Sequence, residues 1–169
     1  MIRLATPDDQ TALLAVAEAT GLFTPEELAG FGGMIGEHLA SGDASGNAGG
    51  DASGDAGGGD NIWLVDEAED IVAAAYYAPE QFAGVGVWIL YFLGVRPSEQ
   101  GKGRGSALIH YVEKDLKARG ARLLLVETSG RDSFEPTRTF YCKNGYSEEA
   151  RSRDYYTAGD DKSIFRKLL

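Results

Sequence analysis

Residues 62–95 read with an apolar period of two and residues 103–119 with a period near 3.6. The joint between them, Arg96-Pro97-Ser98-Glu99-Gln100-Gly101-Lys102-Gly103-Arg104-Gly105-Ser106, carries three alternating glycines. No other stretch constrains the fold as much. A strand that passes through alternating glycines into a helix can turn its backbone N–H groups toward one point, where the positive end of the helix dipole adds to them. The outcome is an anion site of a kind suited to a diphosphate. An apolar run of strand length, residues 123–128, follows the helix, so the joint opens a strand–helix–strand unit.

Two phosphate-binding patterns compete for this loop. A P-loop places four residues between its first glycine and Gly-Lys, then Ser or Thr, whereas six residues separate Gly94 from Gly101-Lys102 and Gly103 follows. That pattern is excluded. The dinucleotide fingerprint lies nearer, with Gly101-x-Gly103-x-x-Ser106 and Glu127 at the end of the next strand. Against it, the residues after Thr128 read as one short helix (136–143) and a hairpin (146–156 with 163–169, turning at 158–161), which leaves no room for further parallel units.

Upstream, residues 2–5 read as a short strand. Thr6-Pro7-Asp8-Asp9 and Thr24-Pro25-Glu26-Glu27 are helix starts, each with a threonine N-cap and proline in the first turn. The second helix is weakened by Gly30, Gly32, Gly33 and Gly36. Residues 62–65, 71–78 and 85–95 form an antiparallel meander. The predicted order is βααβββαβαββ, an α+β fold with a mixed, mainly antiparallel twisted sheet flanked by helices.

Residues 41–60, SGDASGNAGGDASGDAGGGD, interrupt this order with 8 of the 23 glycines, 4 aspartates and no basic residue. Such a stretch cannot bury enough surface to offset its ordering entropy, so it is expected to be a disordered insertion in a single domain spanning 1–169. Its near-repeat of eight residues departs from the nine-residue pattern of calcium-binding β-rolls. The full chain has 169 residues and a net charge of −10. That balance disfavours nucleic acid and anionic membrane surfaces, and favours cationic partners. The basic exceptions Arg96, Lys102 and Arg104 gather at the glycine loop, where their field is expected to draw a polyphosphate. One cysteine, Cys142, allows no intramolecular disulfide, and His38 and His110 have no second histidine at metal spacing, so no metal is expected. With no apolar leader and no long apolar run, the expected compartment is the cytoplasm.

Gln100-Gly101-Lys102-Gly103-Arg104-Gly105 fits Q/R-x-x-G-x-G/A, and Phe140-Tyr141-Cys142-Lys143-Asn144-Gly145-Tyr146 fits F-Y-x-x-x-G-F/Y. Together with the element order, these segments resemble the GNAT superfamily of N-acetyltransferases. The resemblance implies an acetyl-CoA-dependent transferase moving an acetyl group to a primary amine, on a small molecule or a protein N-terminus or lysine, by direct attack in a ternary complex. The alternative is a non-catalytic acyl-CoA-binding or sensing module.

By the same resemblance, the backbone of Gln100, Gly101, Lys102, Gly103, Arg104 and Gly105 holds the diphosphate. The strand through Leu93 and Val95 pairs with the pantetheine arm, and Tyr141 is the general acid. No metal is required, and a homodimer is an allowed assembly. Two departures stand out. The strand 87–93 holds no carboxylate where family members often carry a basic Glu, leaving Glu127, Glu80 or a water chain as base. Phe134 stands where many members have Asn. Glu127, Asp154 and Tyr156 are the expected acceptor-side residues, since aromatic rings and carboxylates suit a cationic amine.

Overall fold

The computed structural model describes residues 1–41 and 61–169, so the expected insertion lies outside the described residues except for Ser41. Among the described residues the order is β1 (Ile2–Leu4), α1 (Gln10–Thr20), α2 (Pro25–Ala40), β2 (Ile62–Glu67), β3 (Ile71–Pro79), β4 (Val87–Val95), α3 (Arg104–Ala118), β5 (Leu123–Ser129), α4 (Glu135–Lys143), β6 (Ser147–Thr157) and β7 (Asp160–Leu168). This is the predicted βααβββαβαββ. One sheet, ordered β1-β2-β3-β4-β5-β7-β6, is antiparallel throughout except between β4 and β5.

Helices cover both faces. On one side Leu13, Val16 and Ala17 of α1, with Ile35 and Leu39 of α2, pack on Trp63, Val65, Ala74, Tyr76 and Phe92. On the other, Leu108, Ile109, Val112 and Leu116 of α3 join Tyr141 of α4 over Leu64, Ala75, Leu90, Val126 and Phe165. β2 and β3 are therefore buried on both faces, which is why Ile71-Val72-Ala73-Ala74-Ala75 reads as a run rather than the alternation expected of a half-exposed meander.

α2 is a regular helix despite its four glycines. Thr24 Oγ1 accepts from the Glu27 N–H while the Glu27 carboxylate accepts from the Thr24 N–H, which satisfies the first turn. The glycines also set the packing on α1: a Cβ at Gly32 would stand 3.3 Å from Leu14, and one at Gly36 would stand 2.6 Å from the Gln10 amide. Helix propensity is thus exchanged for close helix approach. β7 begins at Asp160, earlier than expected, because the turn is the short Ala158-Gly159 step with Gly159 at φ +79°.

Candidate active site

The sheet opens where its one parallel pair ends. β4 and β5 pair only from Val87↔Leu123 to Leu90↔Val126, although both strands continue beyond. The cause lies on the other edge of β4, where the register with β3 passes from Tyr77↔Leu90 to Tyr76↔Phe92 and leaves Tyr91 as an extra residue. A bulge of this kind bends its strand and puts two successive side chains on one face. Tyr91 stacks on Tyr76 at 5.3 Å and Phe92 packs in the same α1–α2 layer, while Leu90 and Leu93 face α3. Past the bulge, the β5-facing edge of β4 has no strand partner among the described residues.

At the end of that edge the chain makes a 3₁₀ turn, Pro97–Glu99, and then the glycine loop. The Gln100 side-chain amide donates to the Val95 carbonyl at 3.1 Å and ties the loop to the strand. Gly101 and Gly103 have φ of +75° and +81°, in the left-handed region that glycine alone enters without strain, and Gly103 is the N-cap of α3. Gly105 serves a different need: a Cβ there would stand 3.2 Å from the Phe140 ring, so its absence lets α3 and α4 meet.

These parts border one cleft of about 410 Å³, in the range of small-molecule sites. Of the residues expected to bind the co-substrate or to catalyse, Leu93, Val95, Gln100, Gly101, Gly103, Arg104, Gly105 and Tyr141 line it. Lys102 belongs to the loop but does not line the cleft, and its ammonium donates to Glu99. Glu99, Ser106, Pro136, Thr137 and Phe140 also line the cleft and are not singled out by the sequence. Thr137 carries a usable signal, since it lies one helical turn before Tyr141.

Tyr141 is buried, its ring edge-on to Phe140 and Tyr146 and tilted against Phe165. Its hydroxyl has no hydrogen-bond partner among the described residues and its side chain borders the cleft. Burial raises its pKa above the ordinary 10, so the phenol stays protonated and can donate.

Two of the basic residues expected to gather at the loop are tied to carboxylates that the local sequence pattern does not show. Glu99 takes Lys102 Nζ at 2.8 Å on one oxygen and Arg104 Nε at 2.7 Å on the other, and Arg104 Nη1 also reaches the buried Asp66 at 2.9 Å. Two of the three cations are thus already paired with acidic neighbours and the third, Arg96, does not line the cleft, which leaves the loop's backbone N–H groups as the uncommitted anion donors there.

On the α1–α2 face of the divergence stands a second group of side chains. β6 carries four residues, Arg153 to Tyr156, between Ser152↔Lys162 and Thr157↔Asp160, where β7 carries one. Asp154 turns this excursion at φ +52°, its carboxylate accepting from the Gly159 N–H and its own N–H donating to Asp161. Asp154 is thereby committed to the turn. The excursion presents Tyr155 and Tyr156 at the surface, ring against ring at 5.1 Å. Glu127, on β5 just past its last pairing with β4, bonds Lys162 Nζ at 3.0 Å. Burial and then Glu127 raise the Tyr156 pKa. For Tyr91 burial leads, followed by Glu80 and Glu127. Glu127 thus lies near both exposed tyrosines. Sequence reasoning misses the Tyr91 side chain and Lys162, because nothing local marks a bulge or a partner on a distant strand.

With this geometry in place, the family model described as acetyltransferase (GNAT) domain matches residues 58–148. A solved structure from Desulfovibrio desulfuricans assigned to the GNAT acetyltransferases is 35% identical, covering 99% of this chain and 98% of its own, with TM-score 0.85. The chain belongs to the GNAT acetyltransferase family. Two remoter GNAT-fold structures show the fold alone. One is the PaiA N-acetyltransferase of Thermoplasma acidophilum in complex with coenzyme A, at 18% identity, 100% and 98% coverage and TM-score 0.73. The other is the ribosomal-protein-alanine N-acetyltransferase of Brucella melitensis, at 20% identity, 100% and 99% coverage and TM-score 0.74. No curated protein matches the chain significantly. No helix among the described residues of this GNAT protein is long and apolar enough to cross a membrane.

Proposed function

We propose that this GNAT protein transfers the acetyl group of acetyl-CoA to a primary amine by direct attack in a ternary complex. The observation that carries the reading is the convergence, in one cleft, of an unpaired strand edge, N–H groups of a positive-φ glycine loop, and a buried phenol with no internal partner among the described residues. Each suits one part of the co-substrate: the glycine loop the diphosphate, the edge of residues 91–95 the amide-bearing arm, Tyr141 the sulfur. Acetyl-CoA supplies an activated acyl carbon and a thiolate leaving group.

After the ammonium gives one proton to Glu127, the amine nitrogen bonds to that carbon as the C–S bond breaks, Tyr141 donates its proton to the departing sulfur, and the second proton lost by the nitrogen restores the phenol through solvent. Glu127 and Tyr156 form the acceptor side, with Glu127 assigned to receive the acceptor's ammonium and its proton. Asp154 supports Tyr156 through the turn. The reading treats 1–169 as one domain, for which deletion of residues 42–59 is expected to leave acetyl-CoA binding intact.

Thermal-shift measurement against acetyl-CoA, CoA and NAD, followed by an amine screen reading released CoA thiol, tests this. Stabilisation by acetyl-CoA and thiol release with an amine are expected. Stabilisation by NAD alone overturns the cofactor assignment. Acetyl-CoA binding without release for any amine favours the sensing module.

A further inference from the structure

The acceptor side already contains an ammonium. Lys162 Nζ sits 3.0 Å from Glu127 and 3.8 Å from the centre of the Tyr155 ring, and its side chain is only 12% exposed. A carboxylate and an aromatic face on one cation are the two contacts by which proteins commonly bind an amine. Their place is also right: Glu127 is on β5 just beyond Leu90↔Val126, at the mouth opened by the Tyr91 bulge.

Resting on the acceptor assignment above, we propose that Lys162 is an internal occupant of the ammonium subsite made by Glu127 and Tyr155. An acceptor amine must displace it, which makes Lys162 a specificity-determining residue. The consequence is a threshold. A simple alkylamine offers Glu127 and Tyr155 nothing that Lys162 does not, and it loses entropy on association, which the tethered lysine does not. An acceptor with further contacts, on the exposed rings of Tyr91 and Tyr156, can exceed that threshold. The substrate class is therefore an extended amine with apolar or aromatic substance beside its ammonium, and small monoamines are excluded.

Both charges stay balanced during displacement. The incoming ammonium replaces Lys162 at Glu127, and the lysine, on its flexible four-carbon stem, returns to solvent. Burial pulls the Lys162 pKa down, but Glu127 and Tyr155 together outweigh it and leave the pKa raised. Lys162 is thus a cation and not a competing nucleophile.

The test is calorimetric binding of n-butylamine to the full chain with CoA present, compared among wild type, Lys162→Met, Lys162→Arg and Lys162→Met/Glu127→Gln. Lys162→Met is expected to bind this monoamine about tenfold more tightly, given the strength of desolvated cation–π and carboxylate contacts. Lys162→Arg, which keeps a cation in place, should behave as wild type. Adding Glu127→Gln should remove most of the gain, and CoA affinity should be equal in all four. A Lys162→Met chain that melts as wild type and binds the amine no more tightly overturns the proposal. A fall in thermal stability is controlled by Lys162→Arg, since equal gains in both variants would mean loosening of the β6–β7 excursion and would overturn it too. Failure of the transfer reaction itself shows separately, as absence of CoA thiol release by wild type with every amine.

Discussion

At the cofactor end of the cleft the groups aimed at the ligand are main-chain atoms, the loop N–H groups between Gly101 and Gly105 and the free edge of β4. At the proposed acceptor end, whose side chains do not line that cleft, they are Tyr91, Glu127, Tyr155 and Tyr156, brought from β4, β5 and β6. The two ends share one device. Each has filled its obvious charged contact from within, Glu99 on Lys102 and Arg104 at one, Lys162 on Glu127 at the other. Formal charge therefore does little to select either ligand. On the proposed function, main-chain geometry selects the cofactor and the strength of additional contacts selects the acceptor.

Tyr141, at the meeting of the two ends, gives the largest expected effect. Tyr141→Phe should lower kcat by roughly 10² or more, the usual worth of a general acid, with acetyl-CoA affinity and melting temperature unchanged because the hydroxyl holds no internal bond among the described residues. Unchanged turnover would remove Tyr141 from the chemistry. Since burial moves the phenol pKa above 10, the acid form persists through the working range and kcat should show no alkaline loss from Tyr141 below about pH 10. A rate that falls between about pH 8 and 9 in wild type but not in Tyr141→Phe would contradict this.

The second test addresses the main-chain end alone. Gly103 holds φ +81°, and a Cβ there would have nothing within 4 Å, so a side chain meets strain rather than a clash. Gly103→Val should weaken acetyl-CoA binding roughly tenfold, since about 1–2 kcal/mol opposes a left-handed conformation in an L-residue. Amine binding should not change. If both affinities fall together, the two ends are not separable and the comparison breaks.

The same contrast explains what is legible in the sequence. A main-chain site needs glycine at fixed offsets between a strand and a helix, and 100–105 shows this directly. The helix start at Thr24 is equally local, and Thr6 begins the 3₁₀ turn Pro7–Asp9 that runs into α1. The acceptor end depends on a one-residue bulge at Tyr91 and a four-against-one excursion at Arg153 to Tyr156, and neither leaves a composition of its own. Glu127 is legible because it stands near the end of an apolar run of strand length. Its partner Lys162 lies just ahead of the strand expected from residue 163, so the ion pair is invisible locally. The basic island misleads for a related reason: three cations in eleven residues are visible in sequence, while Asp66, which takes one of them, is 38 residues from Arg104.

The smallest effect is the most discriminating for internally balanced charge. Lys102 is 57% exposed and paired only with Glu99 among the described residues, so Lys102→Ala should weaken acetyl-CoA by no more than about threefold, the scale of an exposed ion pair. Glu99→Gln is the sharper partner. It leaves a polar side chain of the same shape beside Arg104 and Lys102 while removing the charge that holds them from a phosphate. Acetyl-CoA binding should therefore tighten by about two- to threefold, with a steeper loss on raising salt than wild type. If affinity falls instead, the Glu99 carboxylate acts first as a brace for the glycine loop. The cofactor end would then depend on side chains as the acceptor end does, and the distinction between them would fail.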